Sequence, residues 1–276
     1  MNEPLFLTDL IDKIYMGYEQ DKKRPKRFSR LGASGIGKEC FRAVWYSWRG
    51  FTEKSFPGRI YRLFETGHIQ EDRIVADLQR AGLEVWAVTD EGRQFTFSDE
   101  SGHLVAKVDG IVKGVFEGSK ETFLLEIKTM SDKAFKKLAK NGIYKQDHLY
   151  QIHTGMYLVG LNFGLYVVLN KNDEQYHIEV VERQPKIIAD LQNRIQSATI
   201  GNSAPPRASD ECTSFICRWC DHKAVCLGEV APVKSCRSCS FILPIENGEW
   251  LCEKHGISLN MKEQIKGCKK YLEFGK

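Results

Sequence analysis

The spacing of apolar and polar residues along the chain predicts a mixed α/β protein. A period of three to four residues predicts five helices, and alternating or short apolar runs predict six strands. The last two strands are predicted to pair as a hairpin turning at residues 171–173, and a connecting loop follows the last helix at 201–211. The predicted helices are 4–18, 67–82, 131–140, 146–159 and 185–197, and the predicted strands are 84–88, 94–98, 104–113, 122–129, 165–170 and 175–181.

Charged residues stand at the ends of two of these strands. Asp109 follows the stretch HLVAKV, and Glu126 and Lys128 come at the end of the run TFLLEIK. Because successive side chains of a strand point to opposite faces, Glu126 and Lys128 share one face while their apolar neighbours pack on the other. The turn-like stretch GVFEGSKE predicts that the two strands fold back as neighbours. Two carboxylates and an ammonium group are therefore expected in one cleft.

A third carboxylate belongs to Glu71, in the helical pattern GHIQEDRIVADLQRAG. Positions 71, 74, 75 and 78 share a helix face and three of them are apolar, so Glu71 is expected to point inward. A buried carboxylate is costly unless a positive charge neutralises it. Glu71, Asp109, Glu126 and the backbone carbonyl of Ile127 would form an all-oxygen site suited to magnesium or manganese. The metal would activate a water for attack on a phosphate, with Lys128 orienting that water or offsetting charge.

These motifs resemble those of the PD-(D/E)XK nuclease superfamily, in particular its RecB-like branch, which includes phage recombination exonucleases. GHIQE, VDG and EIK are similar to the first three motifs. The fourth motif has Gln and, four residues later, Tyr, whereas this chain has Gln151 and Gly155. The resemblance covers residues 35–230 approximately and implies a restriction-endonuclease-like mixed sheet flanked by helices, with Gln151 among the catalytic residues. His148 and Gln151 would contact a DNA phosphate or the attacking water, or be ordinary polar flank residues.

The cysteines are concentrated near the C-terminal end, since eight of the nine lie after residue 211. Disulfides are the alternative to metal binding, but the odd number of cysteines, the CxxC spacings and the lack of a secretory signal predict a reducing, cytoplasmic environment. Cys217, Cys220 and Cys226 are close enough in sequence to converge on one small multivalent group, which would need a fourth ligand. Cys212 is expected to be a free thiol or a substitute ligand.

The fourth ligand of this first set is expected to be Cys40, in GKECFRAVWYSWRG. One cysteine ahead of the core and three behind it resemble the layout of RecB-like nucleases that carry an iron–sulfur cluster, such as the CRISPR-adaptation nucleases. That resemblance implies a 4Fe–4S cluster tying the chain ends together. Four thiolates also suit a structural zinc ion, and spacing does not separate the two metals.

A second set of candidate ligands lies in the last forty-odd residues, where a CxxC knuckle and a CxxH knuckle form a zinc-ribbon pattern. So short a segment cannot hold a core unaided, and a metal would stabilise it. We therefore expect a nuclease domain at 1–230 and a small cysteine-rich, zinc-ribbon-like module at 231–276. The candidate zinc ligands are Cys236, Cys239 and Cys252, with Cys268 or His255 as the fourth.

Composition fits one sizeable globular domain with a small appendage: 276 residues, 42% of them hydrophobic and 28% charged. No apolar run approaches the length of a membrane span, so no membrane contact is expected. The net charge is only +4, but two basic clusters favour a DNA backbone over an ordinary solvated face. They comprise Lys22, Lys23, Arg24, Lys26, Arg27 and Arg30, and Lys133, Lys136, Lys137, Lys140 and Lys145.

The sequence thus predicts a divalent-metal-dependent deoxyribonuclease, an exonuclease rather than an endonuclease, that resects DNA ends for recombination or repair. It would work in the cytoplasm, or in the host cytoplasm if a phage encodes it. One alternative is a non-catalytic DNA-binding module with vestigial carboxylates. Another is a nuclease that its zinc-ribbon tail recruits to a recombinase or single-strand annealing protein.

Overall fold

The computed structural model describes residues 7–21, 28, 30–53, 55–200, 203–209 and 214–274. Five residues of the first basic cluster (Lys22, Lys23, Arg24, Lys26, Arg27) and Cys212 lie outside these ranges. The helices are α1 (Thr8–Asp21), α2 (Ala33–Ile36), α3 (Phe41–Trp48), α4 (Gly58–Arg80), α5 (Asp132–Asn141), α6 (Gln146–Val159), α7 (Pro185–Thr199), α8 (Phe215–Arg218), α9 (Lys223–Leu227) and α10 (Met261–Lys266). The strands are β1 (Leu31–Gly32), β2 (Glu84–Trp86), β3 (Thr96–Ser98), β4 (Leu104–Lys107), β5 (Gly110–Lys113), β6 (Thr122–Met130), β7 (Phe163–Asn170), β8 (Tyr176–Glu182), β9 (Ile242–Pro244), β10 (Trp250–Cys252) and β11 (Ile257–Ser258).

A five-stranded mixed sheet lies at the centre of the fold, with strand order β2-β5-β6-β7-β8. β6 and β7 pair in parallel, and the other neighbouring strands pair antiparallel. Helix α4 covers one face with Ile74 and Leu78, and helix α6 covers the other with Ile152 and Met156. The predicted class, a mixed sheet flanked by helices, is confirmed. β6 is buried along most of its length because helices cover both of its faces.

The side chains of β6 alternate between the two helical layers. Leu125 and Ile127 pack in the apolar cluster beneath α4, whereas Leu124 packs beneath α6. Glu126 and Lys128 have the same parity as Leu124 and so belong to the α6 face. Phe123, Leu125 and Ile127 lie opposite Glu126 and Lys128 as predicted, but Leu124 and Met130 share the face of the charged pair.

The predicted strand 104–113 is wrong as a single element. β4 pairs with β3 and, in parallel, with β1 in a separate three-stranded sheet, while β5 belongs to the central sheet. The chain crosses from one sheet to the other between Lys107 and Gly110. Gly110 permits a close approach there, because a Cβ atom at this position would lie 2.9 Å from the carbonyl oxygen of Trp86. Asp109 stands at this crossing.

Helix α4 is longer than predicted, since it begins at Gly58 instead of near residue 67. Pro57 stands directly before its first turn, a place where the missing N–H of proline costs a helix nothing. The added turns pack against α1, which begins at Thr8 where the sequence predicted a helix over 4–18. The ends of α6 are as predicted, and the remaining predicted elements of the central sheet differ by a few residues at their ends.

The C-terminal strands β9, β10 and β11 form their own antiparallel sheet, which packs on α3. The rings of Trp48 and Trp250 have centroids 4.7 Å apart, and Arg49 donates to the carbonyl oxygens of Cys239 and Ile242. The predicted parts 1–230 and 231–276 therefore share one apolar cluster. None of the described helices is both long and apolar enough to cross a membrane.

Candidate active site

A gap in the central sheet sets the position of the acidic residues. β5 and β6 pair from Lys113–Thr122 to Gly110–Leu125, and β5 then leaves toward the other sheet. β6 continues beyond this point, so its residues from Glu126 onward no longer have β5 beside them. Side chains from both layers can enter such a gap.

At this gap the side chain of Asp109 accepts the backbone hydrogen bond that a neighbouring strand would otherwise accept. Its Oδ2 accepts a hydrogen bond of 2.8 Å from the backbone N–H of Ile127, and its Oδ1 accepts one of 3.2 Å from Gln94 Nε2. Burial raises the pKa of Asp109, while Lys128 and the Ile127 N–H oppose the rise and the charge of Glu71 adds to it. The carboxylate is therefore held in one orientation on β6, and Gln94 is a contact that the sequence did not predict.

Glu126 is the most deeply buried of the carboxylates, with 2% of its surface exposed. Lys128, two residues along the same face of β6, forms an ion pair with its Oε1. Burial raises the pKa of Glu126 to about 7, against the opposing charge of Lys128. Burial also acts to lower the pKa of Lys128, but Glu126, Asp109 and Glu71 outweigh it and the pKa of the ammonium is raised. The predicted pairing of Glu126 and Lys128 is thus observed.

Glu71 approaches the same gap from α4. Its carboxylate is 34% exposed and contacts His68 Nδ1 at 3.1 Å. The charge of Glu71 contributes to the pKa shifts of Asp109, Glu126 and Lys128, so the four charged groups predicted from the sequence lie within electrostatic range of one another. Glu71 was expected to point inward, and its side chain is half-buried at the rim of the apolar face that Ile74 and Leu78 bury.

Helix α6 brings His148 to the opposite side of this cleft. Its Nδ1 lies 2.6 Å from the hydroxyl of Tyr166 on β7, which is fully buried. Burial, reinforced by the charge of Lys128, lowers the pKa of His148 to about 4. The imidazole is therefore neutral at physiological pH. With the tyrosine hydroxyl as donor to Nδ1, the other ring nitrogen would carry the proton and act as a donor. Tyr166 lies inside an apolar run and carries no sequence signal for this role.

Gln151 follows His148 by one helical turn and is half-buried on the same side of α6. The departure from the fourth motif at Gly155 has a packing explanation. A Cβ atom at residue 155 would lie 2.4 Å from Leu124 Cδ2, so α6 sits too close to β6 there for any larger residue. A tyrosine at this position is incompatible with the observed packing.

The first cysteine set is brought together by α3, α8 and α9. Cys40, Cys217, Cys220 and Cys226 all line one cavity of about 20 Å³, together with the basic residues Arg42, Arg207 and Lys223. Burial raises the pKa of Cys220, and the neighbouring Cys40 and Cys217 add to the shift. Cys40, which the family resemblance implied as the fourth ligand, therefore shares a cavity with three cysteines that follow it by 177 or more positions.

The second cysteine set also lines a single pocket, formed by Cys236, Cys239, Cys252, Cys268 and His255. Cys268 Sγ and His255 Nε2 lie 3.6 Å apart, so both candidates for the fourth ligand are adjacent. Burial raises the pKa of Cys236, with contributions from the other three cysteines. Across the described part of the chain, however, no three His, Cys, Asp or Glu side chains stand close enough to hold a metal ion as they are placed.

Comparisons with known proteins complete this description. No family model and no curated protein matches the chain. Similar solved structures include the alkaline exonuclease LHK-Exo from Laribacter hongkongensis, at 16% identity over 66% of this chain and 90% of that chain with a TM-score of 0.47. LHK-Exo in complex with dAMP gives 18% identity, the same coverage and the same score. SSO0001 gives 14% identity over 81% of this chain and 98% of that chain, with a score of 0.47. Function must therefore be inferred from the side chains themselves.

Proposed function

We propose that this protein is a divalent-metal-dependent deoxyribonuclease of the PD-(D/E)XK kind. Its active site would be the cleft of Glu71, Asp109, Glu126 and Lys128. The observation that carries the proposal is a buried Glu126 beside a partly buried Asp109 at a gap in the sheet, with a single lysine between them. Three carboxylates and one ammonium group leave the cleft negative when all are ionised, which favours a bound cation.

The donor set fits magnesium or manganese, because carboxylate oxygens are the ligands these ions prefer. Glu71, Asp109, Glu126 and the carbonyl of Ile127 would hold the ion. When bound, it would supply a water of lowered pKa and a positive charge for the phosphate oxygens.

The chain's own residues would position the substrate and the attacking water. Asp109 is fixed by the backbone of Ile127 and by Gln94, so it needs little reorganisation. Lys128 would offset negative charge on the phosphate, and neutral His148 would donate a hydrogen bond to a phosphate oxygen from its free ring nitrogen. Gln151, on the same side of α6, would contact the water or the DNA backbone.

The Asp109→Asn variant tests this proposal, because it keeps the shape of the side chain while removing its charge. With magnesium or manganese present, we expect DNA hydrolysis to fall by about 10²- to 10³-fold while DNA binding and thermal stability are retained. Asp77→Asn is the matched control, since Asp77 lies on exposed α4 surface and pairs with Arg80 and Tyr176. A fully active Asp109→Asn variant would overturn the proposal.

The proposed mode is that of an exonuclease acting at DNA ends in recombination or repair. Linear DNA should be degraded with magnesium, whereas covalently closed circular DNA of the same sequence should persist. Cleavage of the circle at a comparable rate would assign endonuclease action instead.

A non-catalytic DNA-binding module is the second candidate. It is favoured by the observation that Lys128 already pairs with Glu126 and that the described acidic side chains do not stand close enough to hold a metal ion. Such a module would retard labelled DNA in a gel without shortening it, at any magnesium or manganese concentration.

We further propose that Cys40, Cys217, Cys220 and Cys226 hold a 4Fe–4S cluster and that the second cysteine set holds zinc, with Cys268 ahead of His255 as the fourth ligand. Supporting this, each set lines one pocket, and basic side chains at the first would offset the negative charge of four thiolates. Elemental analysis of protein purified without oxygen should find both iron and zinc. Cys40→Ser should remove the iron and leave the zinc, and Cys268→Ser should do the reverse, whereas zinc alone in the unaltered protein would refute the cluster.

The C-terminal module is proposed to dock the enzyme, in the cytoplasm, onto a recombinase or single-strand annealing protein. Its exposed apolar residues Ile257, Met261 and Leu272 offer a contact surface. Ile257→Asp is a better test than deleting 231–276, because deletion would expose the buried surface of Trp48. The variant should lose capture of a purified annealing protein while keeping nuclease activity, and unchanged capture would contradict docking through this face.

A further inference from the structure

A groove of about 750 Å³ opens beside the first cysteine set, whose Cys40 and Cys220 line it. One wall is the connection between α2 and α3, around Lys38 and Cys40, and another is the start of α6, around Lys145 and Gln146. The third wall is α8 with the residues that follow it, up to His222. The groove therefore lies between the first cysteine set and the helix that carries His148.

The third wall presents two large aromatic side chains to solvent. Phe215 is 76% exposed and Trp219 is 77% exposed, and both line the groove. Rings of this size usually bury most of their surface, so two of them exposed on one wall need an explanation. Tyr144 adds a third ring on the opposite wall.

Basic side chains stand among these rings. Lys38, Lys137 and Lys145 line the groove, and Lys137 Nζ lies 4.1 Å from the centroid of the Tyr144 ring. Three carboxylates, of Glu39, Asp147 and Asp221, also line it. Asp147 accepts a hydrogen bond from the backbone N–H of His148 in the first turn of α6, so one of these carboxylates also stabilises the start of the helix. Aromatic faces interleaved with ammonium groups are the chemistry that binds single-stranded nucleic acid.

Helix α6 contributes residues to both the groove and the cleft. Gln146 and Asp147 line the groove, and the next residue, His148, contacts Tyr166 beside Lys128. Gln146 Nε2 also donates to the carbonyl oxygen of Gly37 at 2.9 Å, and a Cβ atom on Gly37 would lie 2.4 Å from Tyr150 Cβ. The wall and α6 are therefore in close contact, and the groove keeps a fixed position relative to the acidic residues.

We propose that this groove binds a single-stranded stretch of the DNA substrate. Bases stack on Trp219 and Phe215, the backbone phosphates contact Lys38, Lys137 and Lys145, and the strand continues past His148 into the cleft. The inference rests on the proposed nuclease function for the direction of the strand, but not for the binding itself.

Fluorescence anisotropy with a short labelled oligothymidylate tests the binding. The full-length protein is used with Asp109→Asn in every sample, so that no cleavage occurs. Trp219→Ala should weaken binding by about 5- to 100-fold and Phe215→Ala by a similar factor, since each removes one stacking platform. Lys145→Gln should reduce the slope of log affinity against log salt by about 0.7. Phe116→Ala and Lys120→Gln, on the exposed connection between β5 and β6, are the matched controls and should bind as the parent does.

The outcomes separate this inference from the proposed function. If tight binding depends on Trp219 but the unaltered protein never cleaves DNA, the groove proposal stands and the nuclease proposal is overturned. If the unaltered protein cleaves DNA but Trp219→Ala and Phe215→Ala bind as well as the parent, the nuclease proposal stands and the groove proposal is overturned. Equal binding of blunt duplex and oligothymidylate, each weakened alike by Trp219→Ala, would also overturn it, because paired bases cannot stack on a side chain. An unaltered thermal midpoint in Trp219→Ala confirms that lost binding is not lost folding.

Discussion

The central sheet and the C-terminal cysteine-rich region place their polar groups in different ways. In the sheet, strand register alone puts Glu126 and Lys128 on one face, and the departure of β5 puts Asp109 beside them. Where the C-terminal region packs on α3, two buried guanidinium groups are held by aromatic rings and backbone carbonyls that come from distant parts of the chain. The first arrangement is local and is visible in the sequence, whereas the second is not.

Arg49 and Arg237 show how the second arrangement works. Arg237 lies 3.7 Å from the centroid of Trp250, donates to Gln264 Oε1 at 3.1 Å and also donates to the carbonyl oxygen of Trp48. Burial lowers the pKa of Arg49 to about 9 and lowers that of Arg237 as well. Carbonyl dipoles and ring faces compensate part of the desolvation cost. The C-terminal region is therefore joined to α3 by contacts whose loss should lower the free energy of unfolding.

Trp250→Ala should have the largest effect on stability. The side chain is 1% exposed and contacts Trp48, His103 and Arg237, so its removal should lower the free energy of unfolding by about 3–5 kcal/mol. Chemical denaturation measures this, with Trp219→Ala as the exposed control that should change stability by under about 0.5 kcal/mol. Equal effects of the two variants would mean that the C-terminal region does not share the core of α3.

The same contrast explains how much the sequence could predict. The ends of α6, the β5–β6 hairpin and the charged face of β6 follow from periodicity and turn chemistry, which act over a few residues. The break between β4 and β5 was missed because apolar alternation continues through Asp109 while the hydrogen-bonding partner changes. Packing of Arg237 on Trp48 joins residues 189 positions apart, and no local pattern encodes it.

The cysteines are an intermediate case. Their spacing grouped Cys217, Cys220 and Cys226, and the family resemblance added Cys40, and all four line one cavity. Spacing did not predict that basic residues would line the same cavity, or that the second set would belong to a segment packed on α3. Those facts depend on tertiary contacts.

The pH dependence of stability probes the buried acid in the sheet. Because the folded protein raises the pKa of Glu126 from 4.5 to about 7, the folded state holds this proton more tightly than the unfolded chain. The contribution of Glu126 to the free energy of unfolding should therefore fall as pH rises from about 4.5 to about 7, by on the order of 3 kcal/mol in metal-free protein. Asp109 shifts in the same direction and adds to the decline. His148, whose pKa is lowered to about 4, contributes in the opposite direction.

Denaturation of metal-free protein between pH 5 and pH 8 checks this trend. Glu126→Gln should remove the decline that Glu126 contributes, since the amide does not titrate. Magnesium should also flatten it, because a bound cation favours the ionised carboxylates. If the difference in free energy of unfolding between the parent and Glu126→Gln does not fall as pH rises, that result would contradict the buried, proton-binding state of Glu126.

Gly155→Ala tests the close contact between α6 and β6. The added methyl would lie 2.4 Å from Cδ2 of Leu124, a fully buried side chain that would have to shift within the core, so we expect the free energy of unfolding to fall by about 1–3 kcal/mol. Gly67→Ala in α4 is the matched control. No atom lies within 4 Å of a Cβ atom at that position, and the change should stabilise the helix by about 0.5–1 kcal/mol. If both variants are more stable than the parent, helix propensity and not packing decides both effects.

Tyr166→Phe should have the smallest effect on stability of these predictions, because it removes a single hydrogen bond. The hydroxyl of Tyr166 is buried and donates to neutral His148, so removing it leaves a ring nitrogen without its partner and should cost about 0.5–1.5 kcal/mol. Tyr176→Phe removes a hydroxyl that donates 2.8 Å to Asp77 at the surface, where water can take its place, and should cost less. Denaturation of both variants, with hydrolysis rates measured alongside, distinguishes a structural contact from a positioning one. If Tyr166 holds His148 for catalysis, Tyr166→Phe lowers the rate while Tyr176→Phe does not, and equal rates would confine the contact to stability.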